Sequence, residues 1–135
     1  MLPSHADAVP HGRHLVAMHC RAWGLGESDP AWPVVEDMLL MVSELVGNAI
    51  RLSSGPIGVN LEAHRTHMLV AVRDDNPEPA SAQKITGEAL GGRGLKLVSE
   101  LSVEWGQTAY HDAAKQVWAK VQVPDGSVLA QYCAL

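Results

Sequence analysis

The chain has 135 residues, of which 47% are hydrophobic and 19% charged, and its formal net charge is −5. That length suits one domain burying about two-thirds of its unfolded surface, and that composition excludes intrinsic disorder. The acidic balance excludes an unaided binder of nucleic-acid phosphates, which needs an excess of Lys and Arg.

The opening segment MLPSHADAVPHGRH has no apolar run long enough for a signal peptide, and no later segment approaches the length of a membrane span. A soluble, cytoplasmic protein is expected. Cys20 and Cys133 match no metal or redox spacing and are expected to be reduced thiols. Of the seven histidines, His11 and His14 share a helix face at i, i+3, but no Cys or close carboxylate completes a ligand set.

From about Ala8 to Trp23 the spacing of Val9, Leu15, Val16, Met18 and Ala22 predicts a first helix, ended by Gly24 and Gly26. Asp29-Pro30 signals a turn, and Pro33 suits the first turn of a longer helix. That helix, centred on Glu36 to Ser53, repeats Met38, Val42, Leu45, Val46, Ala49, Ile50 and Leu52 at three- and four-residue intervals. Glu44, Asn48 and Arg51 then fall on one narrow arc. Such a stripe either faces water or meets something polar, since burying these groups without partners is costly.

Ser53-Ser54-Gly55-Pro56 reads as a turn, after which Ile57, Val59, Leu61 and Ala63 alternate with polar residues and glycine as in a strand. Arg65-Thr66 reverse the chain into a second strand, His67 to Asp74, forming an antiparallel hairpin. Met68, Val70, Val72 and Asp74 share one face, so Asp74 should point into the core layer. The next stretch, DNPEPASAQKITGEAL, predicts a long functional loop.

Gly91-Gly92-Arg93-Gly94 leads into a helical pattern from Leu95 to Leu101. A glycine cluster opening a helix is either a plain turn or a place where backbone N–H groups approach an anion. Two strands follow, near Ser102 to Thr108 and Lys115 to Val123, joined by a turn at His111-Asp112. In the last strand Val117, Ala119, Val121 and Val123 face one way, and Gln116, Trp118, Lys120 and Gln122 the other. Trp118 is thereby a partly covered surface ring or part of a partner surface. The single domain spans residues 1–135, with a tail, 124–135, that the pattern does not place.

The order helix, helix, strand, strand, loop, helix, strand, strand implies an α+β, two-layer α/β sandwich, its sheet mixed but mostly antiparallel and covered by helices on one face. The segments ELVGNAIR, VRDDNPEP, GGRGLKLV and KQVWAKV, in this order, resemble the Bergerat-type (GHKL) ATP-binding domain of gyrase, MutL repair proteins, histidine kinases and anti-sigma-factor serine kinases. The wording of these segments and the chain's short length are most similar to the last group, in its actinobacterial form. The resemblance covers roughly residues 12–123.

It implies ATP and Mg²⁺ as cofactors. Glu44 would be the general base and Asn48 the Mg²⁺ ligand, while Asp74 would accept a hydrogen bond from the adenine amino group. Gly92 and Gly94 would donate to phosphates, with Asn76, Arg51, Arg93 and Leu95 completing the nucleotide site and residues 75–90 forming its lid. The implied activity is an anti-sigma factor that sequesters a sigma factor and phosphorylates a serine on an antagonist protein. The alternative is a nucleotide-binding interaction module without catalysis. No direct contact with nucleic acid or membrane is expected, and the open sheet face also suits a homodimer. The chain departs from the family pattern at Leu52, where a His is usual, at Asn76 in a Gly position, and in carrying Ala114 and Gln116 around Lys115.

Overall fold

The computed structural model describes residues 7–52, 55–75, 90–110 and 114–132. In chain order these form α1 (Ala8–Ala22), α2 (Trp32–Leu52), β1 (Gly58–Ala63), β2 (His67–Asp74), α3 (Leu90–Leu101), β3 (Glu104–Ala109), β4 (Lys115–Gln122) and α4 (Val128–Tyr132). The four strands make one sheet in the order β1-β2-β4-β3. The sequence predicts a sheet that is mixed but mostly antiparallel, and all three pairings among the described residues are antiparallel. The reason is topological. Each hairpin is antiparallel because its turn is short, and the segment carrying α3 returns the chain so that β4 also runs against β2.

Period-two alternation gives the sheet two unlike faces. Met68, Val70 and Val72 of β2 and Val117, Ala119 and Val121 of β4 are buried on the inner face. Met38, Met41, Val42, Leu45, Val46 and Ala49 of α2 belong to the same core. Burying a side chain of this size fully contributes about 1.5–3 kcal/mol, so the helix–sheet layer dominates the fold's stability. On the outer face Gln116, Trp118 and Lys120 alternate with those core residues and are only partly covered. Gly106 lies opposite Trp118 in the β3–β4 register, and the indole rests over it.

The ends of α1 follow from local chemistry. The Leu25 N–H donates to the Cys20 carbonyl at 2.9 Å and the Gly24 N–H to the Arg21 carbonyl at 3.0 Å, which is the Schellman pattern. It needs a left-handed residue after the helix, and Gly24 supplies φ +85°. Arg13 of α1 reaches α2, donating to Ser43 Oγ at 2.8 Å. Cys20 is buried between these helices, and burial pushes its thiol up to about 11. That keeps it protonated at neutral pH, as expected for a reduced core thiol; Cys133 lies outside the described residues.

The C-terminal segment has a definite seat. The Val128 N–H donates to Asp29 Oδ2 at 2.9 Å while the Ala31 N–H donates to Asp29 Oδ1 at 2.8 Å. One carboxylate thus ties α4 to the turn before α2, and Leu129 is buried beside it. Residues 53–54 of the turn expected over 53–56 and the turn expected at 111–112 lie outside the described residues, as do residues 1–6.

Candidate functional site

The polar arc of α2 is where the helix leaves the core. Asn48 is only 5% exposed, whereas Glu44 is half-buried and Arg51 is exposed. Arg51 Nη2 donates to Asn48 Oδ1 at 3.5 Å, a long contact that orients the amide without a strong bond. No hydrogen bond or ion pair to another described residue holds the Glu44 carboxylate. It lies instead against α3: a Cβ added to Gly94 would sit 2.7 Å from Glu44 Oε2. The acidic end of the arc and the glycine segment are therefore in contact.

The glycine segment itself differs from expectation. α3 begins at Leu90, so Gly91, Gly92 and Gly94 lie inside its first turns and not in a turn ahead of it. Close packing explains why a helix accepts them, since at position 94 any side chain would crowd Glu44. The N–H groups of Leu90, Gly91 and Gly92 belong to the first turn and lack an acceptor within the helix. Gly94, one turn further in, leaves the space beside Glu44 that a side chain would fill. Leu95 is a fully buried core residue, so its contribution to a site is packing.

Asp74 ends β2 on the inner face and is 4% exposed. Directly opposite it in the β2–β4 register stands Lys115, itself 2% exposed. Lys115 Nζ donates to Asp74 Oδ1 at 3.1 Å. The strand alternation holds the clue that the sequence reading missed. Lys115 shares the phase of Val117, Ala119 and Val121, so a lysine there must be buried and must find a carboxylate. Gln116, which marks the departure from the family pattern, faces away on the open side with Trp118 and takes no part in the inner layer. Since α2 packs across both β2 and β4, Asn48 and the Asp74–Lys115 pair face one helix–sheet layer.

Asn76, residues 76–89 of the lid expected over 75–90, and the side chain of Arg93 lie outside the described residues. His11 and His14 are exposed on α1, away from this layer. Residues 2–121 match the sequence profile of the histidine kinase-like ATPase domain, nearly the whole described structure. The chain belongs to that family. No curated protein matches the chain.

A histidine kinase-like ATPase domain binds ATP, generally with Mg²⁺, and the groups present here fit that cofactor. Asn48 offers a hard oxygen in a sheltered position, suited to Mg²⁺. The first turn of α3 offers N–H groups and the positive end of a helix dipole, suited to phosphate. Asp74 offers a buried acceptor, suited to an amino group on a base. No helix among the described residues is long and apolar enough to cross a membrane.

Proposed function

We propose that this ATP-binding domain is a regulatory protein kinase of the anti-sigma-factor type, which holds a sigma factor and phosphorylates a serine on an antagonist protein. The observation that carries the kinase reading is the position of Glu44. It lies one helical turn before Asn48, on the same arc of α2, and against the first turns of α3. A carboxylate there would orient and deprotonate an incoming serine hydroxyl beside the terminal phosphate, which Asn48 through Mg²⁺ and the α3 N-terminus would hold. ATP supplies the transferred phosphoryl group; the chain's own task is to position it, exclude water and take up the hydroxyl proton at Glu44. The likeness of ELVGNAIR and GGRGLKLV to the anti-sigma kinases supports the choice of partner.

A second reading, a nucleotide-binding interaction module, draws support from the altered segment around Lys115, where Ala114 and Gln116 depart from the family pattern. One experiment separates the two. The wild-type chain and Glu44→Ala are incubated with Mg-ATP and the proteins that co-purify with the chain from its source cells, and phosphoserine is measured beside calorimetric ATP affinity. The kinase reading expects transfer by the wild type, none by Glu44→Ala, and ATP affinities within a few-fold of each other. ATP binding without transfer by the wild type establishes the module instead.

A further inference from the structure

Lys115 is the most unusual residue of the inner layer. Three apolar residues follow it on the same face of β4, yet it buries an ammonium group as completely as they bury methyl groups. A buried ion pair of this kind is commonly no more stable than well-packed apolar residues of the same volume, because desolvation of both charges offsets their attraction. Its presence calls for a reason other than folding. Asp74 gives one, since the proposed function places the base of the nucleotide on that carboxylate, and the inference rests on that reading.

We propose that Lys115 reads the nucleobase together with Asp74. The edge of adenine carries a donor, the 6-amino group, next to an acceptor, ring nitrogen N1. The pair presents the complement, a carboxylate acceptor with an ammonium donor 3.1 Å away. A lysine ammonium has three donors, so Lys115 can keep its bond to Asp74 and donate a second to N1. Guanine in the same pose would set its 6-oxo group against the Asp74 carboxylate and its N1–H against the Lys115 ammonium, two mismatches in a desolvated site. The lysine thereby converts a single contact to the amino group into a two-point test of base identity.

The test is calorimetric binding of ATP, GTP and 1-deaza-ATP, in which N1 is replaced by C–H, each with Mg²⁺. The proteins are the wild-type chain, Lys115→Met and Lys115→Gln, with thermal melts to confirm folding. In the wild type, loss of one hydrogen bond to a charged donor should weaken 1-deaza-ATP roughly tenfold or more relative to ATP. In Lys115→Met the two nucleotides should bind equally and GTP discrimination should shrink, whereas Lys115→Gln, which keeps an N–H donor, should retain part of the ATP preference. A lysine that merely holds Asp74 in place would instead weaken ATP and 1-deaza-ATP alike, leaving their ratio at the wild-type value, and would overturn the inference. Equal binding of the two nucleotides by the wild type overturns it without any variant, so a failure of Lys115→Met to fold does not shelter it. Both of those outcomes leave ATP binding intact. A wild type that binds no ATP at millimolar concentration removes the nucleotide reading itself, and the inference with it.

Discussion

The Glu44 carboxylate occupies the space that a side chain at position 94 would fill. A Cβ built on Gly94 would lie 2.7 Å from Glu44 Oε2 and 3.3 Å from Glu44 Cβ, so glycine is what lets α2 and α3 close at this level. Gly94→Ala sets two effects of similar size against each other. Alanine gains about 1 kcal/mol of helix propensity, while pushing Glu44 off its rotamer costs about 0.5–1.5 kcal/mol. Stability should therefore stay within about 1 kcal/mol of wild type in urea unfolding. Phosphate transfer should fall on the order of 10–100-fold, because a base displaced by a fraction of an ångström is poorly aligned. Unchanged transfer would detach Glu44 from the chemistry.

The Asp74–Lys115 pair makes a second prediction, this time about folding. Both side chains are 3% exposed, so solvent does not screen them and removing either deprives the other, still buried, of its oppositely charged partner. Asp74→Asn and Lys115→Met should each lower stability by about 3–5 kcal/mol. The double variant Asp74→Leu/Lys115→Met should recover most of that loss, because an apolar pair in the same layer has no desolvation penalty. Urea unfolding of the three proteins checks the cycle. Calorimetry should show that the stable double variant no longer binds ATP.

These two sites differ in how far the sequence discloses them. The arc of Glu44, Asn48 and Arg51 follows from helical spacing alone, and the inward direction of Asp74 from strand alternation, because both depend only on periodicity. The same alternation places Lys115 inward, but only the β2–β4 register sets it opposite Asp74, and these residues are 41 positions apart in the chain. The start of α3 is misread for a different reason. Glycine has poor helix propensity, so the cluster looks like a turn until the packing of Glu44 against Gly94 is known. The seat of the C-terminal segment is equally invisible locally, since its anchor is a carboxylate on the far side of α2 in sequence.

That anchor predicts a pH dependence. Burial pushes the Asp29 carboxyl upward, but the Val128 and Ala31 N–H groups and the Ser127 hydroxyl together hold it below the ordinary aspartate value. A depressed folded-state value means the charged form is favoured in the fold, so its contribution is fully present above the unfolded value of about 3.9 and is lost as pH falls through the lower folded value. Asp29→Ala should cost about 1–2 kcal/mol at neutral pH, the usual effect of losing a side-chain acceptor for backbone donors. The difference from wild type should shrink progressively below about pH 4. Unfolding curves across that range test the sign, and faster hydrogen exchange at Val128 and Leu129 in the variant would locate the loss in α4.

The open face of the sheet offers a last test, at Gly106. A Cβ there would lie 2.7 Å from Trp118 Cζ2 and 3.0 Å from Cε2, so Gly106→Ala must move the indole. Strand propensity alone favours the substitution, because glycine in a strand interior is weakening. Overpacking opposes it by about 1–3 kcal/mol where neighbours cannot yield. Trp118 is only partly covered and lies on a face with no helix over it among the described residues, so its ring can swing toward water and the cost should fall at the low end of that range. The expected result is a stability change within about 1 kcal/mol together with a red-shifted tryptophan emission, since the ring becomes more hydrated. The chain has four tryptophans, so the shift must be read against Trp118→Phe, in whose background Gly106→Ala should leave the spectrum unchanged. A shift that persists without Trp118 would mean the substitution disturbs Trp105 on the inner face, and with it the β3–β4 register.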